Sequence, residues 1–534
     1  MKKIIICLLI VISASQFGCK KFLDITPVDK LTGNNFYKSL DDVESNLNDM
    51  YGRLFQKYTT TNTAGATGEF RSGEVIPAIQ GGTARLRIAL LGGHNRIAVS
   101  PAGVVGPQVI PASTTVNDRT LLNALSDQDY NFYSLTRWEP FYQVIQSANL
   151  LISKLEEGID GVNEEQTKRY IAECKFIRCY SYFHMVRMFG DVVYYTAAYQ
   201  KDYLARENMV SVVKKCIADM KSSRNDMPWT NNDPTKRGVR ASKGAATALI
   251  MSMNMWNAGF DFSNKTAYYE ETRTMGEELM ESGAYRLLDL IDWPTVSRGR
   301  SEESLFELFS TFNYSSSVTA SRYAPFGETF IHFPYRLPEY DFRYSGAVFT
   351  LEYMNKLYPD KQDQRLAAWF DSPFDQNSET FQLKKFAGNI IIDSSDPNNT
   401  SNPESTFLIL RYADVILMRA EAASELPGRE DEAIDMLNRV RVRGGAPIFP
   451  TAERDVEVGL KDAIFWERAK ELMGEGTHYF DLVRTRRILD RQYTDNPLTP
   501  DKFNRGAWTW PIDGSADGNN PLMVRNTYWI GSGF

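Results

Sequence analysis

The sequence predicts a mainly α fold: a tetratricopeptide-like helical-hairpin scaffold of about four helix pairs, with long irregular loop insertions and a few short strands. Three observations carry this. Residues 407–445 read as two amphipathic helices around a tight turn, the unit that stacks in helical arrays. Similar apolar periodicity recurs between residues 40 and 282. Between the periodic blocks lie two long stretches, about 59–117 and 300–403, whose Gly, Pro, Asn and aromatic residues follow no period.

The hairpin is the clearest element. Ile409, Ala413, Ile416, Leu417, Ala420 and Ala423 recur at steps of three and four, which aligns them on one helix face. Leu426-Pro427-Gly428 interrupts the pattern. A second helix is expected from Glu430. Its first turn is acidic (Glu430, Asp431, Glu432) and its end basic (Arg439, Arg441, Arg443), which suits the helix dipole at both ends. Ala433, Leu437 and Val440 mark its buried face, and Gly444-Gly445 ends it.

At the N-terminus, Lys2-Lys3 precedes nine unbroken apolar residues, 4–12. A bilayer span needs about 20, so residues 1–18 read as a secretory signal rather than a membrane helix. Gly18-Cys19 looks like a lipobox, in which the thiol is acylated (palmitate among the chains expected) and becomes the new N-terminus. Gln16 stands where Leu is usual. Cys19 is therefore the expected lipid anchor, holding the protein to a membrane without spanning it.

The remaining elements follow in order. Helices are expected over 40–58, 138–155, 164–189, 206–227, 242–260, 266–282 and 460–474, and a short strand over 303–309. No acidic residue falls between Glu74 and Asp118, a window that contains Arg85, Arg87 and Arg96. Such a stretch is a candidate functional loop. Residues 312–344 are dense in rings, among them Tyr314, Tyr323, Phe326 and Tyr335. The formal charge of −7 argues against nucleic acid as the main partner. Cys174, Cys179 and Cys216 cannot all pair, so they are read as small buried apolar residues and not as a disulfide framework.

Several blocks resemble the SusD/RagB family of nutrient-binding outer-membrane lipoproteins. They are residues 410–422 with 437–443; Trp138, Tyr142, Ile145, Ala148 and Asn149; Ala172, Phe176, Arg178, Tyr182 and Phe183 followed by Phe189-Gly190-Asp191-Val192; and Glu467-Arg468 through Arg484. Phe22-Leu23-Asp24 with Pro27, Trp510-Pro511-Ile512 and residues 520–528 are similar to the family's ends. The resemblance implies a signal peptide over 1–18 and one SusD-like domain over 19–534. The helical scaffold then covers about 36–290 and 405–490, and the ligand side is the insertions. It also implies a surface-exposed lipoprotein of the outer membrane, facing the cell exterior, that captures oligosaccharides and delivers them to a SusC-like TonB-dependent transporter. Peptide capture is the alternative within the family.

No catalytic fingerprint is present: no G-x-S-x-G, no H-E-x-x-H, no phosphate-binding loop. His94, His184, His332 and His478 show no metal spacing. The chain is thus expected not to be an enzyme; a glycan-degrading surface enzyme is the rival reading. No cofactor is expected, though residues 513–519 are oxygen-rich enough to keep a structural calcium ion open beside an ordinary turn. The charges of 467–484 are read as structural ion pairs. Sugar binding needs a ring to cover the apolar face of the sugar and polar groups for its hydroxyls. Trp293, Tyr314, Tyr323, Phe326 and Tyr335 are the candidate platform, and Arg85, Arg87 and Arg96 are candidates for an anionic ligand or the transporter.

Overall fold

The computed structural model describes residues 37–59, 67–77, 99–100, 103–104, 135, 137–311, 327–336, 339, 342–388, 405–450, 459–514, 516 and 520–530. The helices of five or more residues are α1 (Leu40–Thr59), α2 (Glu139–Glu157), α3 (Glu164–Phe189), α4 (Met209–Lys221), α5 (Lys243–Ala258), α6 (Lys265–Glu281) and α7 (Trp293–Arg298). They continue as α8 (Leu351–Leu357), α9 (Arg365–Trp369), α10 (Tyr412–Ser424), α11 (Glu430–Arg443), α12 (Leu460–Glu471), α13 (His478–Arg484) and α14 (Pro500–Asn504). Among the described residues, eight short strands interleave them: β1 (Val75–Pro77), β2 (Val99–Ser100), β3 (Gly103–Val104), β4 (Ser304–Leu308), β5 (Ala347–Phe349), β6 (Phe370–Asp371), β7 (Gln382–Leu383) and β8 (Phe407–Arg411). They pair only two at a time, as β1–β5, β2–β3, β4–β8 and β6–β7, all antiparallel.

Four helix pairs form the scaffold: α1 with α2, α3 with α4, α5 with α6, and α10 with α11. α2 also packs on α3, α4 on α5, and α6 on α10, so the array is continuous in space across the insertion between Glu281 and Tyr412. This is the tetratricopeptide-like arrangement that the periodicity predicts. One hydrophobic core runs through it, from Val43 to Ile512.

Local chemistry explains the element ends. α3 opens with a capping box: Gln166 N donates to Asn163 Oδ1 (2.9 Å), and Asn163 N donates to Gln166 Oε1 (3.0 Å). That satisfies two of the backbone donors left free at a helix start. α4 starts at Met209 because Asn208 Oδ1 accepts from Val210 N (3.0 Å) and Ser211 N (3.4 Å). The expected helix over 206–227 is therefore shorter at both ends, and Glu207 instead bridges Val192. α5 ends against α13 so closely that a Cβ at Gly259 would lie 2.1 Å from Arg484 O. Only glycine fits there.

Residues 407–411 correct the sequence reading. The helical face drawn through Ile409 begins only at Tyr412; Phe407–Arg411 is a strand. It pairs with β4 in the register Leu308↔Phe407, Glu307↔Leu408, Phe306↔Leu410 and Ser304↔Arg411. A Phe-Leu-Ile-Leu run suits a buried strand as well as a helix, and a partner strand a hundred residues upstream decides between them. α12 likewise stops at Glu471, short of the expected Gly474, whose φ of 80° belongs to a turn.

The charges between Glu467 and Arg484 are structural ion pairs, as the sequence suggests. Arg365 Nη1 lies 2.7 Å from Glu467 Oε1 and 2.9 Å from Glu471 Oε2, all three side chains fully buried. Arg468 spans Asp414 (2.7 Å) and Asp481 (3.1 Å), and Arg484 Nη2 holds Asp481 at 2.7 Å. A charge taken out of water persists only if it is paired and hydrogen-bonded. Burial pushes the Glu471 carboxyl up, but Arg443, Arg411, Arg365 and Lys385 around it prevail and hold it well below the usual carboxylate range. Cys174, Cys179 and Cys216 are free and buried, as expected of apolar fillers. Among the described residues no helix is long and apolar enough to cross a membrane.

Candidate functional site

Trp138, Tyr142 and Gln146 recur at steps of four, so they line up on one face of α2 and its N-cap. Opposite them runs the loop that leaves α3, residues 190–208. Its start is pinned by the Val192–Glu207 bridge, and its middle by side chains from two helices. Tyr142 Oη donates to Val193 O (2.8 Å). Tyr182 Oη donates to Tyr195 O (2.8 Å) and accepts from Tyr195 N (3.0 Å). Asn149 Nδ2 donates to Tyr195 O (3.4 Å), and Gln146 Nε2 donates to Ala198 O.

The result is an ordered set of rings. Tyr142 and Tyr195 are stacked, 6.1 Å apart and 10° from parallel. Trp138 meets Tyr142 edge-on at 5.3 Å. Burial raises the phenol pKa of both tyrosines, keeping them neutral donors. The C-terminal segment closes the third side, where Asn520 Nδ2 donates to Leu204 O (2.8 Å).

Between these walls lies an open cleft of about 460 Å³, with Tyr142, Tyr195, Tyr203, Gln146, Gln200 and Asn520 among its lining. Tyr203 is 62% exposed, a free ring beside two anchored ones. At the mouth, Arg137 and Glu139 neutralise each other at 2.8 Å. Rings and amides suit a polyhydroxylated ligand, and two further carboxylates, Asp202 and Asp513, line the same cleft. Among the described residues no group of three or more His, Cys, Asp or Glu is placed to hold a metal ion. His184 in α3, His478 in α13 and His332 in a loop are each buried.

Trp293, proposed from sequence as part of a sugar platform, is instead a core residue. It is 4% exposed and opens α7. Its Nε1 donates to Lys385 O (2.6 Å), and Trp369 lies 4.8 Å from its ring. Lys385, Arg411 and Arg443 stand over it at 5.0, 5.3 and 6.0 Å. Its ring serves the buried charges and offers no face to a ligand. Tyr335 is half-buried against the core. Tyr314, Tyr323, Phe326, Arg85, Arg87, Arg96 and Cys19 lie outside the described residues.

Sequence reasoning passed over the cleft's own rings. Trp138 and Tyr142 stood out there as helix-patterned positions that carry the family resemblance, not as candidate ligand contacts. The usable signal was the cluster Tyr194, Tyr195, Tyr199 and Tyr203 in one loop directly after a helix rich in tyrosine.

Comparison with known proteins places these features. The profile of the SusD family matches residues 295–529, and a profile described as starch-binding, associating with the outer membrane, matches residues 108–253. The crystal structure of a SusD homologue from Bacteroides thetaiotaomicron is 30% identical, with a TM-score of 0.75 over 92% of this chain and 98% of its own. The SusD-like protein P38 of Formosa agariphila is 23% identical over 98% of this chain and 99% of its length. A laminarin-binding SusD-like protein is 22% identical, with a TM-score of 0.66 over 92% of this chain and 99% of its own, a likeness of fold.

Proposed function

The chain belongs to the SusD family, and from that premise we propose that it is a lipid-anchored binding protein of the outer membrane that captures oligosaccharides. In this reading Cys19 carries the lipid once residues 1–18 are removed, the protein faces the cell exterior, and a SusC-like TonB-dependent barrel receives the ligand. The observation that carries the reading is the cleft of Tyr142, Tyr195 and exposed Tyr203, flanked by the amides of Gln146, Gln200 and Asn520. Sugars bind through C–H faces on aromatic rings and hydroxyls on amides. The starch-binding description of one family profile and the laminarin-binding relative support a glycan ligand.

In this reading the protein binds without cleaving: the buried carboxylates Glu467, Glu471 and Asp414 are engaged by arginines, and a cleavage check tests the carboxylates that line the cleft, Glu139, Asp202 and Asp513. The test is calorimetric titration of the chain from Lys20 onward, which retains the whole described core, against neutral glycans, including starch and laminarin oligosaccharides, and peptide mixtures. The recovered ligand is then checked for cleavage. Binding of a neutral glycan without cleavage is the expected result. Released product would move the protein to an enzyme reading, and binding of peptides alone would move it to peptide capture.

A further inference from the structure

A second cleft, of about 490 Å³, lies on the other side of the Ala205–Arg206 stretch, between the loop after α3, α14 and the C-terminal segment. Four arginines line it, Arg206, Arg486, Arg505 and Arg525, against one carboxylate, Asp191. In a chain with more acidic than basic residues this is a local inversion of charge.

Arg486 carries the argument. It follows α13 in a left-handed backbone conformation, φ 64°, unusual for a residue with a side chain. Its guanidinium lies against the rings of Phe503, Phe260 and Phe262, with Cζ at 4.2, 4.8 and 5.5 Å from their centres. Its polar contacts are to one carbonyl, Gly259 O, from Nε (3.3 Å) and Nη2 (3.0 Å). Among the described residues its Nη1 end has no protein acceptor and its half-buried charge has no carboxylate in an ion pair. Burial accordingly lowers its pKa with no counter-charge opposing the shift.

Arg206 repeats the pattern. It is held by carbonyl oxygens of Asp191 (2.7 Å), Val524 (2.6 Å) and Phe189 (2.8 Å) and by Asn526 Oδ1 (2.7 Å), and among the described residues no carboxylate forms an ion pair with it. Asp191 spends Oδ1 on Met209 N (2.8 Å). At the rim Arg505 is half-exposed, 3.8 Å from an exposed Asp501. Arg206 and Arg486 contrast with the buried arginines Arg365, Arg411, Arg441, Arg443, Arg468 and Arg484, each of which has a carboxylate within 4 Å.

We propose that this cleft is a subsite for an anionic substituent on a saccharide, a uronate carboxylate or a sulfate ester, which seats on Arg486 and Arg505. A guanidinium on an aromatic face presents a planar donor edge matched to such oxyanions. The inference goes beyond neutral-glycan capture and does not require it, because the two clefts have separate polar groups.

The test uses the chain from Lys20 onward in calorimetry with four probes: an oligogalacturonate, a sulfated galactan oligosaccharide, a neutral galactan oligosaccharide of equal length and inorganic sulfate. At least one acidic oligosaccharide is expected to bind ten-fold or more tightly than the neutral one, with the gap shrinking as salt is raised. Which acidic probe binds decides between carboxylate and sulfate. Arg486→Gln is expected to abolish the gap, and Arg486→Lys to retain part of it. Arg505→Glu, at the exposed rim and so independent of folding, is expected to reduce acidic binding ten-fold or more and leave neutral binding unchanged. Equal affinity for acidic and neutral probes, indifference of acidic binding to Arg505→Glu, or affinity for inorganic sulfate matching that of the acidic oligosaccharides overturns the proposal. Loss of neutral-glycan binding with acidic binding intact would instead count against the aromatic cleft.

Discussion

Arg411 Nη1 stands 2.8 Å from Glu471 Oε1, both side chains out of solvent, and this pair ties the end of β8 to the end of α12. Glu471 also holds Arg365 and Arg443, and Arg411 also holds Glu475 at 2.8 Å. The last strand, the closing hairpin and the following helix are thus joined through one buried set of charges.

Removing one member leaves its partners buried and unpaired. Glu471→Gln keeps the shape and removes the charge from among three guanidiniums. It is expected to lower stability by about 3–5 kcal/mol, read as a shift of the denaturant midpoint at unchanged slope. A loss below about 1 kcal/mol would show that solvent, not the protein, screens these charges.

Trp293→Ala discriminates core from ligand roles for that ring. The buried position predicts a loss of about 3–5 kcal/mol, with neutral-glycan affinity of the folded protein unchanged. Calorimetry at a temperature where the variant is still folded checks the second part; a selective affinity loss with stability intact would restore the ligand role.

Tyr203 makes the opposite prediction. Its ring is mostly exposed, so Tyr203→Ala changes stability by less than about 0.5 kcal/mol. Neutral-glycan affinity is expected to fall about three- to ten-fold, from about 0.5–1.5 kcal/mol of ring contact. Equal affinity for variant and parent would remove Tyr203 from the site.

Glu74 supplies a pH signature. Burial chiefly, with Asp495 nearby, pushes its carboxyl up from 4.5 to about 8. Below the ordinary value both the folded and the unfolded chain hold the proton. Between 4.5 and about 8 only the folded chain does, so the parent loses stability as the pH rises through that window. Glu74→Gln cannot lose a proton. Its stability relative to the parent is therefore expected to climb by about 1.4 kcal/mol per pH unit across the window and then level off. Unfolding curves at several pH values for both proteins measure this; a difference independent of pH would mean Glu74 is ionised in the fold.

The scaffold was legible because helix pairs are local. Ala433, Leu437 and Val440 repeat at helical spacing within one segment, and each is buried where the pattern put it. The boundary at Tyr412 was not legible, because β8 exists only through pairing with β4, far upstream in the chain. The likeness in residues 410–484 identified the family without any contact map, and its charges were rightly taken as structural.

By itself the sequence determined the helical class and the family, since periodicity and short motifs are properties of contiguous residues. Only the tertiary structure decided which rings are free. Trp293 and Tyr203 look alike as letters in loop-rich stretches, yet one is enclosed by Lys385, Arg411 and Trp369 and the other stands in solvent. Exposure and charge compensation are set by residues distant in the chain, which is why the aromatic cleft and the guanidinium of Arg486, held by Gly259 O, appear only once the chain is folded.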